Sequence, residues 1–172
     1  FRNLSRNRKR LEYEKGRDGD LVDMCFNKAR VEERKEWINA YGGEIMDYTP
    51  PHVSVDAFVK KELVTFAIAD NARSLPSVFD GFKTSQRKVL YACLKRNLTK
   101  ELRVAQLAGY TSEHAAYHHG EASLNGTIVG MAQNHLGTNN VNLLVPAGSY
   151  GDRLGGVAAQ PRYIHTLLSE WT

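Results

Sequence analysis

The sequence predicts an α+β chain that is mostly helical and contains a winged helix, in which a helix-turn-helix unit is followed by a β-wing. Apolar residues recur at helical spacing through residues 84–134, and glycines divide this region into short helices. Two apolar segments of strand length follow at 141–145 and 163–168. The long loop between them, 146–156, holds four glycines. Two strands after a group of helices predict the hairpin of a wing.

The first part of the chain is predicted to be a separate, charged helical segment. Residues 28–41 place apolar side chains on one stripe, and the many glutamates, lysines and arginines largely avoid it. Gly42-Gly43 ends this helix. Pro50-Pro51 prevents another from starting at once. Residues 42–52 are therefore predicted to be a linker between two domains.

Further helices are predicted after the linker. Ser54 is a good N-cap for a helix that continues to about residue 70. Thr84 is predicted to cap the next helix, whose apolar side carries Val89, Leu90 and Cys93. The remaining predicted helices are two shorter ones, at 104–107, ended by Gly109, and at 121–134.

The bulk composition narrows the classes of function. The net charge of +4 and the pI of about 9.1 permit a polyanionic partner without requiring one. Cys25 and Cys93 fit neither a disulfide framework nor a metal-ligand spacing, which indicates reduced thiols in an intracellular protein. No apolar run approaches membrane-spanning length, so no membrane partner is expected. The basic cluster at 6–10 is interpreted as a solvated terminus, with a nuclear-localisation or nucleic-acid patch as the alternative. Because the first residue is Phe1, the chain is expected to begin inside a longer protein.

Residues 159–166, Ala-Gln-Pro-Arg-Tyr-Ile-His-Thr, contain the main candidate for chemistry. Tyr163 directly follows Arg162, and a guanidinium beside a phenol favours its charged form and can neutralise a phosphate under attack. Pro161 restricts the backbone just before the pair. Taken alone, the segment is more typical of a half-buried tyrosine at the start of a strand beside a surface arginine. A chemical role depends on its context.

Short motifs supply that context. They are Asp-Asn-Ala-Arg-Ser-Leu-Pro-Ser at 70–77, Asp-Gly-Phe-Lys at 80–83, Gln-Arg-Lys-Val-Leu at 86–90, Val-Ala-Gln-Leu-Ala-Gly at 104–109, Tyr-His-His-Gly-Glu at 117–121, Ala-Gln-Asn at 132–134, Asn-Asn-Val-Asn-Leu-Leu at 139–144 and Pro-Arg-Tyr-Ile at 161–164. In this order they resemble the DNA-gate region of eukaryotic-type DNA topoisomerase II, a type IIA topoisomerase. Glu-Arg-Lys-Glu-Trp at 33–37 resembles the segment that leaves the family's metal-binding Toprim domain.

The resemblance implies a division into domains and a set of partners. Residues 1–41 would be the C-terminal remnant of a Toprim domain, 42–52 a linker, and 53–172 a winged-helix DNA-gate domain that continues beyond this chain. The partner would be double-stranded DNA, and the parent protein a homodimer. Mg²⁺ and ATP would act in the full-length parent and would not be bound by this fragment. A cellular eukaryotic source implies the nucleus, and a mitochondrial or viral origin stays open.

The resemblance also implies roles for particular residues. Tyr163 would attack a DNA phosphodiester and become linked to the 5′ phosphate of the broken strand, which is nucleophilic covalent catalysis. Arg162 would stabilise the phosphate and the phenolate. His119 would hydrogen-bond the scissile phosphate or the transferred proton, although a histidine taken alone is as often structural. Asp80 would orient its neighbours. The residues expected to grip DNA near the cut are Arg73, Lys83, Arg87 and Lys88.

Some positions depart from the family pattern. Thr84-Ser85 replaces Pro-Gly, His165 stands where Phe is usual, and Asp152 stands where Thr is common. The loop before Pro161 is also about two residues short, so the approach to Tyr163 is expected to differ. The family's Asp-x-Asp-x-Asp metal run is not found in the sequence, and Asp18-Gly19-Asp20 is predicted to be a turn.

Two other classes of function remain open. One is a winged-helix DNA-binding module without catalysis, in which Tyr163 is merely structural. The other is a protein-interaction domain whose basic face is only solvated. The ordered motifs favour the topoisomerase, because a plain binding module gives no reason for Tyr-His-His-Gly-Glu and Arg-Tyr to occur together.

Overall fold

The computed structural model describes residues 8–138 and 141–172. Two parts of the sequence analysis therefore lie partly outside the described residues: positions 6 and 7 of the basic cluster, and positions 139 and 140 of one motif. The chain divides into two compact units, Phe1–Ala72 and Arg73–Thr172. Among the residues that are described, no helix has the length and apolar character needed to cross a membrane.

The first unit is built from short helices and a two-stranded sheet. Its sheet pairs β1 with β2 in parallel, with Leu11 opposite Val53. This pairing joins the predicted Toprim remnant to the end of the predicted linker, and the contacts divide the chain at 72/73 rather than within 42–52. The elements are β1 (Arg10–Glu12), α1 (Arg17–Phe26), α2 (Val31–Asn39), β2 (His52–Ser54), α3 (Val55–Phe58), a π-helical segment (Val59–Leu63) and α4 (Val64–Ser74).

The turn predicted at Asp18-Gly19-Asp20 is wrong, because these residues form the first turn of α1. The Asp18 side chain is fully buried, and its carboxylate accepts hydrogen bonds from the Glu14 N–H at 2.7 Å and the Arg17 side chain at 3.1 Å. The bond from the Glu14 backbone holds the pKa of Asp18 below its usual range. An aspartate is favourable here because the first turn of a helix offers unpaired N–H groups.

The N-cap prediction for Ser54 is confirmed. Its hydroxyl oxygen accepts a hydrogen bond from the Ala57 N–H at 3.1 Å, and helical structure follows without interruption to Ser74. Thr84, in contrast, is the first residue of its helix rather than the cap. Lys83 holds the cap position, and its N–H donates to the Gln86 side-chain oxygen at 2.9 Å.

The second unit combines helices with a three-stranded antiparallel sheet in the order β3-β5-β4, which confirms a mixed helix-and-strand chain. Its elements are α5 (Thr84–Arg96), β3 (Leu102–Arg103), α6 (Val104–His114), α7 (Glu121–Ala132), β4 (Leu144–Ala147) and β5 (His165–Leu168). The core lies where the three helices meet the sheet. It is formed by Val89, Cys93, Val104, Leu107, Leu124, Ile128, Leu144 and Ile164, all buried.

Three predicted boundaries in this unit are wrong. Helix α6 does not stop before Gly109 but continues to His114, because it buries a stripe that includes Leu107 and Thr111. That burial outweighs the cost of about 1 kcal/mol for a glycine inside a helix. Strand β4 includes Pro146, which sequence reasoning had placed in the loop. Proline is tolerated there because β4 is at the edge of the sheet. Strand β5 begins after Tyr163, at His165.

Candidate functional site

Tyr163 lies in a turn between the β4–β5 connection and β5. Its N–H donates to the Gln160 carbonyl at 2.8 Å. The N-terminus of α6 holds the same turn: the Val104 N–H donates to the Ile164 carbonyl at 3.0 Å, and the Ala105 N–H donates to the Pro161 carbonyl at 3.1 Å. Because the first N–H groups of a helix have no partner within it, turn and helix satisfy each other. The backbone is therefore fixed on both sides of Tyr163.

The Tyr163 side chain, in contrast, is open to solvent, with 65% of its surface exposed. The next residue, Ile164, is buried in the core and anchors the turn. The Arg162 guanidinium lies over the Tyr163 ring, 4.9 Å from its centroid, in a cation–π contact. The structure therefore does not support a half-buried strand tyrosine here. It presents an exposed phenol together with a cation.

The connection before this turn folds back on itself around Asp152. The Asp152 carboxylate accepts hydrogen bonds from the Leu154 N–H at 2.8 Å and the Gly156 N–H at 3.1 Å. The base of the connection is closed by the Ala159 N–H, which donates to the Ser149 carbonyl at 2.9 Å. The departure at Asp152 thus supplies the side chain that stabilises this tight loop.

A second feature of the unit is a cleft of about 340 Å³ with a basic lining. It brings together three of the four predicted DNA-binding cations and the predicted active-site histidine. None of its lining residues is acidic, so the cleft suits an anion. Arg162 and Tyr163 do not line it. The lining residues are Arg73, Ser74, Lys83, Thr84, Ser85, Lys88, Tyr117, His119 and Ser123.

The turn that carries His119 is held by two contacts from neighbouring elements. The Lys88 ammonium donates to the Ala116 carbonyl at 2.8 Å, and Ala116 has a left-handed backbone with φ of 48°. The buried Tyr117 donates from its hydroxyl to the Ser123 hydroxyl oxygen at 3.0 Å. Its ring meets the His119 ring edge-on, with centroids 5.5 Å apart. An ammonium has three donors, so Lys88 retains two for another acceptor.

Arg87, the fourth predicted cation, does not line the cleft. One of its guanidinium nitrogens lies 2.7 and 2.6 Å from the two carboxylate oxygens of Asp80. Asp80 also accepts the Phe82 N–H at 3.0 Å. The bond from Arg87 holds the pKa of Asp80 below its usual range, so the carboxylate is charged at neutral pH. The structure thus places Asp80 where it can orient Arg87.

Sequence reasoning missed several polar residues of the cleft. Ser74, Ser85 and Ser123 carried no signal of their own, because a lone serine is common on any polar surface. Their hydroxyls enter the cleft lining only because the end of α4 and the starts of α5 and α7 meet there. Within residues 8–138 and 141–172, no group of three or more His, Cys, Asp or Glu side chains converges as metal ligands would.

Family models divide the chain where its contacts do. Residues 73–172 match the model of the DNA gyrase/topoisomerase IV family. Residues 1–71 match the C-terminal associated domain of TOPRIM. The chain therefore belongs to the DNA gyrase/topoisomerase IV family, and the resemblance inferred from its motifs is confirmed.

Individual relatives agree with this assignment. The chain is 50% identical over 175 residues to a DNA topoisomerase 2 of Saccharomyces cerevisiae, and 49% identical over 174 residues to a probable DNA topoisomerase 2 of Dictyostelium discoideum. These alignments cover 100% and 99% of the chain, but only 12% and 11% of the relatives. A crystal structure of the Plasmodium falciparum topoisomerase II DNA-binding, cleavage and re-ligation domain is similar, with a TM-score of 0.71 and 47% identity. That similarity covers 92% of this chain and 22% of the solved chain.

Proposed function

We propose that this chain is the DNA cleavage and religation region of an ATP-dependent type II DNA topoisomerase, with Tyr163 as the nucleophile. The observation that carries the proposal is the combination found at Tyr163. Its side chain is exposed and paired with Arg162, whereas its backbone is hydrogen-bonded to the N-terminus of α6. An exposed nucleophile on a fixed turn suits a substrate too large to enter a closed pocket.

The proposed reaction exchanges one phosphodiester for another. The Tyr163 phenol oxygen attacks the DNA phosphorus, the bond from phosphorus to the 3′ oxygen breaks, and the 5′ phosphate remains on the tyrosine. The phenol loses its proton, and the departing 3′ oxygen gains one. Arg162 neutralises charge on the phosphate, and His119 serves as the hydrogen-bonding or proton-transferring group. Because a diester is kept, reversal needs no further energy source, and the strand can be resealed.

The second unit is proposed to be a winged helix. Helices α5, α6 and α7 would form the helical part, and strands β4 and β5 the hairpin of the wing. The basic cleft would hold the DNA backbone through Arg73, Lys83 and Lys88. Phosphate contacts of this kind position DNA without reading its sequence, so binding should be weakly sequence-specific and sensitive to salt.

The remaining parts of the machinery belong, in this proposal, to the longer parent. The parent would be a homodimer that cuts both strands of one duplex and passes a second duplex through the gap. Residues 1–41 would trail its Toprim domain. The Mg²⁺ of the Toprim domain and the ATP of a separate domain find no matching donor set in the described residues, so no step above is assigned to them. A nuclear protein is proposed for a cellular source, with mitochondrial and viral sources as alternatives.

The test is a trapping assay with the full-length parent on supercoiled DNA, with Mg²⁺ or Ca²⁺ and a detergent quench. Wild type is expected to yield protein attached covalently to 5′ DNA ends. Tyr163→Phe is expected to yield none while binding DNA with unchanged affinity. Tyr91→Phe is the matched control, because Tyr91 is also an exposed tyrosine of this unit with a cation, Lys95, over its ring. The control is expected to form adducts at the wild-type level.

Two outcomes would contradict the proposal. Adducts in the Tyr163→Phe variant would mean that another tyrosine is the nucleophile. Duplex binding with no adduct in any variant would favour a winged-helix binding module without catalysis.

A further inference from the structure

Tyr150 is a buried tyrosine between β4 and Tyr163 that the proposed chemistry does not use. Its side chain is 4% exposed and belongs to the hydrophobic core of the second unit. Its hydroxyl donates to the His165 carbonyl at 2.7 Å, and its own carbonyl accepts from the Gln133 side chain at 2.8 Å. Tyr150 therefore connects the residue that follows α7 to the first residue of β5.

The carbonyl that Tyr150 holds is two residues after Tyr163. The chain around Tyr163 is also held by the two backbone bonds to α6 described above and by the bond from Ala159 to Ser149. Those three contacts are formed by the main chain, so a substitution does not remove them directly. The hydroxyl of Tyr150 adds a contact that the loss of a single atom abolishes. Burial raises the pKa of Tyr150 to about 12, so the hydroxyl keeps its proton and can donate throughout the neutral range.

We propose that Tyr150 is a positioning residue for the nucleophile: its hydroxyl fixes the His165 carbonyl, and through it the turn that aims Tyr163 at the DNA phosphate. The inference rests on the proposed function of Tyr163. Without the hydroxyl, the ring still fills its place in the core, but the start of β5 loses a hydrogen-bond donor. A small displacement of a reacting group has a large effect, since about 1 Å can cost about 100-fold in rate.

The experiment compares Tyr150→Phe with wild type in the full-length parent. It measures the single-turnover rate of cleavage on a linear duplex at saturating DNA, together with DNA affinity and the melting temperature. Tyr150→Phe is expected to cleave about 10-fold more slowly, on the scale of such displacements. Its DNA affinity is expected to stay within about 2-fold of wild type, since no phosphate contact is removed.

A matched control separates positioning from stability. Thr111→Val removes another buried hydroxyl of the same unit, one that donates to the Leu107 carbonyl at 2.8 Å within α6. It is expected to lower the melting temperature about as much as Tyr150→Phe but to cleave at the wild-type rate. Replacing Tyr150 with 4-aminophenylalanine restores a donor at the same place, and is expected to restore cleavage to within about 2-fold, because the hydrogen bond is re-formed.

The outcomes distinguish this inference from the proposed function. If wild type forms the Tyr163 adduct and Tyr150→Phe cleaves at the same rate, Tyr150 does not position the nucleophile, and the proposed function stands. Equal slowing of Tyr150→Phe and Thr111→Val would reduce Tyr150 to a stabilising role. Failure of 4-aminophenylalanine to restore the rate would also overturn the inference. If wild type forms no adduct at Tyr163, the proposed function fails first.

Discussion

The Tyr163 turn and the basic cleft solve different problems with the same kinds of residue. At the turn, hydrogen bonds hold the backbone, and the side chain of Tyr163 is left exposed. In the cleft, the side chains themselves make contacts between elements, as Lys88 does with Ala116. A nucleophile must form and break a bond to a moving phosphate, so it needs a free side chain on a fixed base. Cations that hold a polyanion need only to be kept together.

The largest effect is expected at the turn, where Arg162→Ala would remove the cation beside the nucleophile. Single-turnover cleavage is expected to slow by about 100-fold, the scale seen when one group that stabilises a transition state is lost. DNA affinity is expected to change less than about 3-fold, because one phosphate contact among several is affected. Arg153→Ala, with the same charge change at an exposed position of the same connection, is the control. Equal losses in both variants would show that only net charge matters.

An intermediate effect is expected in the cleft, where the comparison predicts the opposite pattern. Lys83→Ala is expected to weaken duplex binding by about 5-fold to 10-fold and to reduce the slope of log affinity against log salt by about 1. Cleavage at saturating DNA should stay near the wild-type rate. Titrations at several salt concentrations measure both quantities. Lys100→Ala, an exposed lysine that does not line the cleft, should leave the slope unchanged. A large loss of cleavage rate in Lys83→Ala would blur the distinction between the two regions.

The smallest effect is expected at Asp80, which lies outside both regions and pairs with Arg87. If Asp80 orients Arg87 toward DNA, Asp80→Asn lowers affinity by about 2-fold to 3-fold even though it removes a repelling negative charge, since salt bridges at exposed sites contribute little. A rise in affinity would instead mean that Asp80 only neutralises Arg87. Arg87→Gln in the Asp80→Asn background should then cause little further loss if orientation is the mechanism.

The effect of Asp80 should also be insensitive to pH between 5 and 8. The folded-state pKa of Asp80 is lowered by Arg87, so the pair is present above the ordinary aspartate pKa of about 4 and is lost only as pH falls through the lowered value. The ratio of wild-type to Asp80→Asn affinity should therefore stay constant across this range. A ratio that changes between pH 5 and 8 would point to another titrating group.

The cap at Ser54 could be predicted from sequence because it depends on neighbours within a few positions. The same local reasoning failed at Gly109 and Pro146, where burial of one helix face and an edge position in the sheet decide the outcome. It also failed at Asp18, which suits a turn by residue type but is placed in a helix by its bond to the Glu14 N–H. Propensity is a weak prior that tertiary contacts override.

The sequence by itself determined the family of this protein and the residues to suspect, because ordered motifs and the Arg162-Tyr163 pair are properties of residue order. Only the tertiary structure decided how these residues are grouped. It placed Arg73, Lys83, Lys88 and His119 around one cleft, set Arg87 against Asp80 instead, and held Tyr163 on the N-terminus of α6. These groupings join residues far apart in the chain. Sequence spacing cannot specify them, because they depend on how helices and strands pack over a shared core.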